Sequence, residues 1–286
     1  METSEPVNRA PRLQLVRPKG FFQACFRAYG SASGVQPFVI LFLPRTGSNL
    51  LASTLDSHPD ILCHHEIFNQ RLPQCSQSVR SGEIKLGLGT ATERDRDPWH
   101  FLDRVFSQTG VTPDGERNPV KFIGAKISPY DNFWVVLSVL LNRRIKKIVV
   151  RRSNFLAAFV SGQLAMKTGQ WAVFKDRQAA AQPSQQVEVD VGRFRAFARK
   201  RRIFHAAVRL ILAITGQRSI EIDYVTMRDP AVRSRLLGFL GAHDVVQLSE
   251  RTQKQERGRL ADRIANFDEL RQRLSGTRYR DLLEGE

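Results

Sequence analysis

Acidic residues are scarce in this chain: 28 Asp and Glu stand against 44 Lys and Arg, a formal net charge of +16 over 286 residues. A surface this basic suits nucleic acid, an anionic membrane, or an anionic substrate and cofactor. The arginines are scattered over expected helices and loops (Arg193, Arg195, Arg199, Arg201, Arg202, Arg233, Arg235), with no compact tract interleaved with aromatics. No dedicated nucleic-acid partner is therefore expected. Cysteine is also scarce. Cys25, Cys63 and Cys75 are odd in number, show no CxxC spacing and fit a reducing compartment. His64 and His65 are adjacent and would point to opposite faces of a strand, and His58, His100, His205 and His243 supply no partner spacing, so no metal site is expected. No apolar run approaches the ~20 residues of a membrane span, and the first residues lack the pattern of a signal peptide. A cytoplasmic location is expected. Internal repeats are absent.

The rest of the composition is ordinary, with 42% hydrophobic and 25% charged residues. The length allows one α/β domain with decoration. Residues 1–36 read as an N-terminal arm and 37–286 as the domain. Within the arm, Phe21, Phe22 and Phe26 beside Lys19 and Arg27 could touch lipid, although packing back onto the domain suits them better. Residues 81–118 read as an excursion with one helix near 99–106. Residues 121–127 read as a strand, and 170–190 as a polar loop or lid.

The densest signal is residues 38–51, FVILFLPRTGSNLL. Six apolar residues read as a buried strand, and Leu50, Leu51 and Leu55 open a helix with an apolar face. The turn between them holds Arg45, Thr46, Gly47, Ser48 and Asn49. A strand, a small-residue turn and a helix N-terminus make an anion site, because free amides and the positive dipole end face the turn. The sequence is not the G-x-x-x-x-G-K-[ST] loop of nucleoside triphosphatases, since the basic residue precedes the glycine. A second strand at 145–150 runs into Arg151-Arg152-Ser153-Asn154 and then a helix containing Ser161. That is a second anion site of the same kind. A third strand and helix, SIEIDYVTMRDPAVRSRLLGFLG, place Val232, Leu236, Leu237 and Leu240 on one face.

PRTGSNLL resembles the phosphosulfate loop of sulfotransferases that use 3'-phosphoadenosine 5'-phosphosulfate. RRSNFLAAFVSGQLA resembles their 3'-phosphate motif, and the third segment resembles the C-terminal strand and helix found throughout that family. The resemblance covers residues 37–280 and is of the bacterial carbohydrate or glycolipid type. It implies a P-loop-like parallel sheet flanked by helices on both faces, with the nucleotide at the strand C-terminal ends. It implies that Arg45, Thr46, Gly47, Ser48 and Asn49 hold the 5' end of the donor. Arg151 or Arg152, with Ser161, would hold the 3'-phosphate, and Lys254 would lie near it. Arg45 also takes a catalytic role.

Glu66, in Glu66-Ile67-Phe68, matches the glutamate that acts as base in the bacterial enzymes. Residues 57–68 should return to the sheet edge beside the turn. His64 and His65 stay open as bases, as does a Glu66 that only pairs with an arginine. Lys126 could assist the leaving group. Trp99, Trp134 and Trp171 could stack on a sugar acceptor. The expected activity is sulfuryl transfer to a carbohydrate or glycolipid hydroxyl, with peripheral contact to a lipid surface allowed. Two alternatives remain: a P-loop nucleotide-dependent kinase, and a non-enzymatic basic binding protein.

Overall fold

The computed structural model describes residues 17–31, 33–69, 76, 91–108, 119–171, 173–174, 185–242, 248–250, 252–253 and 259–284. At its centre are five parallel strands: β1 (Gln36–Leu41), β2 (Ile61–Glu66), β3 (Phe122–Ile127), β4 (Lys146–Arg151) and β6 (Ser219–Asp223), in the order β2-β3-β1-β4-β6. β1 is the middle strand, with Phe38 opposite Gly124 of β3 and opposite Lys146 of β4. Parallel strands covered on both faces read as unbroken apolar runs, which is why 38–43 and 148–150 look as they do.

Alternate residues of β1 feed two cores. Val39 and Leu41 face a layer that contains α1 (Phe21–Phe26), α4 (Pro98–Phe106), α5 (Phe133–Leu141) and α7 (Val191–Ile214). Phe38 and Ile40 face α2 (Ser48–Leu55) and α8 (Pro230–Leu240). Gly124 has no side chain for a reason: a Cβ there would lie 2.1 Å from the Phe38 ring. α3 (Ala91–Arg96) precedes α4. A third core joins α6 (Phe155–Thr168), the start of α7 and α9 (Phe267–Ser275) through residues such as Leu156, Val160, Phe194 and Leu270. Two short strands, β5 (Val173–Phe174) and β7 (Thr252–Gln253), pair antiparallel.

Residues 21–29 of the expected arm are part of the first core, where Phe21, Ala24, Cys25 and Tyr29 are buried. Asn142 ties this segment down by donating to the Ala24 and Arg27 carbonyls, both at 3.0 Å. Helix starts follow capping chemistry. Asp97, Asn132, Asn154, Asp190 and Asp229 each accept a backbone N–H of the first turn. α1, α2 and α9 lack such a bond, and in α2 the cap is Gly47, so no side chain occupies its first amides.

Candidate active site

The turn after β1 sits where the chain reverses direction across the sheet, at the C-terminal ends of β1, β3 and β4. Its carbonyls are individually held. The Thr46 hydroxyl donates to the Leu43 carbonyl at 2.9 Å, Arg201 of α7 donates to the Pro44 carbonyl, and Arg152 donates to the Arg45 carbonyl at 3.4 Å. Arg45 has φ +67°, a left-handed conformation that costs a non-glycine residue about 1–3 kcal/mol and persists only where neighbours enforce it. Gly47 has φ +79°, and a Cβ there would meet the Tyr224 ring at 2.4 Å. With its carbonyls tied back, the turn leaves its amide side and the α2 N-terminus for an anion.

The two segments expected to bind anions meet in space. Arg45 reaches across to α6 and donates from Nε and Nη2 to the Ser161 hydroxyl oxygen, at 2.8 and 2.6 Å. Its Nη1 donates to the Trp171 carbonyl at 2.7 Å. The neighbouring arginines part company. Arg151 faces β6, donating to Glu221 at 2.7 Å, to Asp223 at 3.0 Å and to the Ser153 hydroxyl at 2.9 Å. Arg152 is buried against the turn, its guanidinium 4.6 Å from the centre of the Tyr224 ring. Lys254 lies outside the described residues.

Glu66 stands on the other flank, at the end of edge strand β2. It accepts from Lys126 Nζ at 3.0 Å and from Asn69 Nδ2 at 3.1 Å. Lys126 also donates to Asn49 Oδ1 and lies over the Phe42 ring, 4.5 Å from its centre. Glu66 is therefore joined through a lysine to the turn, and its described ion pair is not with an arginine. Burial pushes the Glu66 carboxyl up, but the Lys126 charge and the Lys126 and Asn69 hydrogen bonds prevail and hold it below its ordinary value. Glu66 is thus ionised at neutral pH. Burial pulls Lys126 down, against the attraction of Glu66. Asp131, just beyond β3, is raised to about 7, first by burial and then by the Glu66 charge.

His64 has both ring nitrogens engaged. Its Nδ1 accepts from the Ser76 amide at 3.2 Å, which leaves Nε2 to donate to Gln108 Oε1 at 3.0 Å, and burial lowers it to about 4. His65 Nδ1 contacts Asn49 Oδ1 at 3.3 Å. Trp99 is buried and donates to the Lys19 carbonyl at 2.7 Å, whereas Trp171 is more than half exposed beside Arg45. Among the described residues, no group of His, Cys, Asp or Glu could hold a metal ion.

Sequence reasoning left two contributors unassigned. Tyr224 wedges its ring between Gly47 and Arg152. Arg201 is 2% exposed, lies over the Phe197 ring at 4.4 Å, and has Nε and Nη1 buried without a hydrogen-bond partner. Burial lowers it to about 10, and the nearby Arg152 charge adds to this. A signal was present: Phe194, Ala198, Arg201, His205, Val208 and Leu212 form the buried stripe of α7, and an arginine there is out of place.

The nodulation protein H of Rhizobium meliloti strain 1021 is 30% identical to this chain over 258 residues, covering 87% of the chain and 95% of the relative. This chain belongs to the nodulation protein H family of sulfotransferases. A second family member, nodulation protein H of Rhizobium tropici, is 28% identical over 257 residues, covering 87% of the chain and 93% of the relative. No general protein-family profile matches the chain. The parallel sheet and the turn at its centre suit a nodulation protein H sulfotransferase.

Proposed function

We propose that this enzyme transfers a sulfuryl group from 3'-phosphoadenosine 5'-phosphosulfate to a hydroxyl of a carbohydrate or lipo-oligosaccharide acceptor, with Glu66 as general base. The acceptor class is carried over from the nodulation protein H relatives. The observation that supports the donor assignment is the Arg45–Ser161 bridge, which joins the turn after β1 to the helix after β4. The residues fit a multiply anionic donor. The first amides of α2 have no side-chain cap, and the buried Arg201 guanidinium has two nitrogens without partners. Buried charge of one sign is costly unless an opposite charge meets it.

On this reading Thr46, Gly47, Ser48 and Arg45 hold the 5' end, with Asn49 and Lys126 beside it. Arg152, rather than Arg151, serves the 3'-phosphate with Ser161, because Arg151 is committed to Glu221 and Asp223. Lys254 is kept on the 3' side on the strength of the family resemblance. The donor supplies an activated sulfuryl group whose leaving group is a phosphate. Glu66 takes the proton from the acceptor hydroxyl as its oxygen bonds to sulfur and the sulfur–oxygen bond to phosphate breaks. Lys126 and Arg45 face the charge that develops on the departing oxygen. The buried free thiols Cys25 and Cys63 support a cytoplasmic setting.

The test is Glu66→Gln, which keeps shape and removes the base. Calorimetric titration with adenosine 3',5'-bisphosphate should give wild-type affinity, and turnover should fall about 10²–10⁴-fold. Normal turnover would remove Glu66 as base. Equal affinity of the wild-type protein for the bisphosphate and for ATP with Mg²⁺ would remove the sulfuryl donor.

A further inference from the structure

One face of the molecule is apolar, basic at its rim and without acidic residues in its helices. α1 packs on α5, and α5 packs on α7, so the three form one layer over the sheet. Their inward residues build the first core. Large apolar residues also stand outward among their exposed arginines and lysines. Phe22 (60% exposed), Phe26 (79%) and Phe133 (40%) stand at one side, and Ile203 (58%), Leu210 (59%) and Ile214 (75%) run along α7. Between them α5, FWVVLSVLL, is apolar but for the buried Ser138, and its Trp134, Leu137 and Leu141 are only partly covered by the first core. The aromatic rings are linked edge to face: Phe22 to Phe21, Phe21 to Trp134, and Trp134 to Phe133. Scattered exposed apolar residues are ordinary, but a contiguous face of this kind marks an interaction surface.

Charge says what covers it. No Asp or Glu occurs in α1, α5 or α7. Exposed Arg17, Lys19, Arg143, Arg144, Lys200 and Arg202 border the apolar residues, and the Arg17 guanidinium lies over the Phe22 ring at 4.5 Å. Of the nearby acids, Asp103 pairs with Arg27 at 3.1 Å and Glu221 with Arg209 at 2.7 Å, and burial disfavours the charge of Asp131. A symmetric contact with a second copy would set this basic rim against itself. A nucleic acid would meet the rim but leave the phenylalanines and isoleucines without a partner. An anionic lipid surface satisfies both. Apolar side chains enter the acyl boundary, and long basic side chains reach the headgroups.

We infer that the outer face of α1, α5 and α7 docks this enzyme on anionic lipid bilayers. The face begins beside the candidate site. Tyr130, 42% exposed, follows the end of β3 that carries Lys126, and Phe133 opens α5 directly after. Arg201, which holds the Pro44 carbonyl, is on the inner side of α7, and Ile203 is on its outer side, one helix width away. The end of this face nearest the site is therefore the one that carries Tyr130 and Phe133. Docking goes beyond the proposed reaction and stands independently of it.

The experiment is sedimentation of the full chain with vesicles of phosphatidylcholine alone and of phosphatidylcholine with phosphatidylglycerol. The protein should partition onto the phosphatidylglycerol vesicles only, and less as salt rises. Phe22→Ser/Phe26→Ser and Leu210→Ser/Ile214→Ser should each lower that partitioning by about tenfold or more. Both should keep the wild-type circular dichroism spectrum and melting temperature, which shows that they are folded. Wild-type protein that stays in solution, or variants that sediment like wild type, would overturn the inference. So would a dimer in light scattering that the same variants dissolve, since the occupant would then be a second copy. Loss of bisphosphate binding by the wild-type protein would instead strike the sulfuryl donor and leave docking untouched.

Discussion

Asp131 is the group near the candidate base whose charge is poised at neutral pH. Burial, then the Glu66 charge, raises it from an ordinary 3.8 to about 7. Between those values the native protein binds more protons than the unfolded chain, so this group makes stability fall as pH rises through the window. The penalty is absent below about pH 4 and complete above about pH 7. Asp131→Asn should therefore match the wild type in urea melts near pH 4 and exceed it by on the order of 1–3 kcal/mol above pH 7. A difference that does not grow with pH would show that Asp131 does not titrate in this window. Glu66 was legible in the sequence as a base candidate, and so was Ser161 as an anion ligand. Their partners were less so. Nothing in a linear pattern says that Lys126 meets Glu66 across the strand pair, or that Arg45 spans to Ser161, because both contacts depend on the order in which strands assemble. His64 was the open alternative to the favoured Glu66, and both its ring nitrogens are engaged, by Ser76 and Gln108.

At the scale of elements, α6 carries Ser161 and is fixed at its start by Asn154. The Asn154 oxygen accepts from the Ala157 amide at 2.8 Å, and its Nδ2 donates to the Leu282 carbonyl at 3.0 Å. One side chain thus caps the helix and anchors the C-terminal 3₁₀ turn (Arg280–Leu283). Asn154→Ala should cost about 1–2 kcal/mol in urea unfolding, from the cap and the lost anchor together. A change within a few tenths of a kcal/mol would show that other contacts suffice. The strands and helices of the core were readable because apolar runs and capping residues are local. The strands expected at 121–127, 145–150 and 219–224 form at Phe122–Ile127, Lys146–Arg151 and Ser219–Asp223. The pairing of β5 with β7 was not readable, since each is two residues long and the partners are far apart in sequence. α1 was ambiguous for a different reason: its phenylalanines serve both sides, Phe21 inward and Phe22 and Phe26 outward.

For the whole molecule, the sheet order is what brings residues 45, 152 and 201 together, from three separate elements. Apolar strands of similar composition do not announce which of them is central, so this convergence emerges only with the fold. It also sets like charges side by side. Replacing the partly unpartnered Arg201 by an apolar side chain removes a buried charge, which tends to be neutral or stabilising. Arg201→Met should leave the ligand-free melting temperature unchanged or higher, and weaken adenosine 3',5'-bisphosphate binding at least about tenfold, the scale of one charged hydrogen bond. A lower melting temperature with unaltered affinity would make Arg201 a brace for the Pro44 carbonyl and nothing more.

The bridge from Arg45 to Ser161 has a kinetic corollary under the proposed reaction. The groups gathered on the turn and on α6 grip phosphates, and both phosphates survive the transfer. Spent and loaded nucleotide thus present nearly the same handles to the protein. An enzyme so built distinguishes them poorly, and its working pace is governed by how quickly the used nucleotide departs.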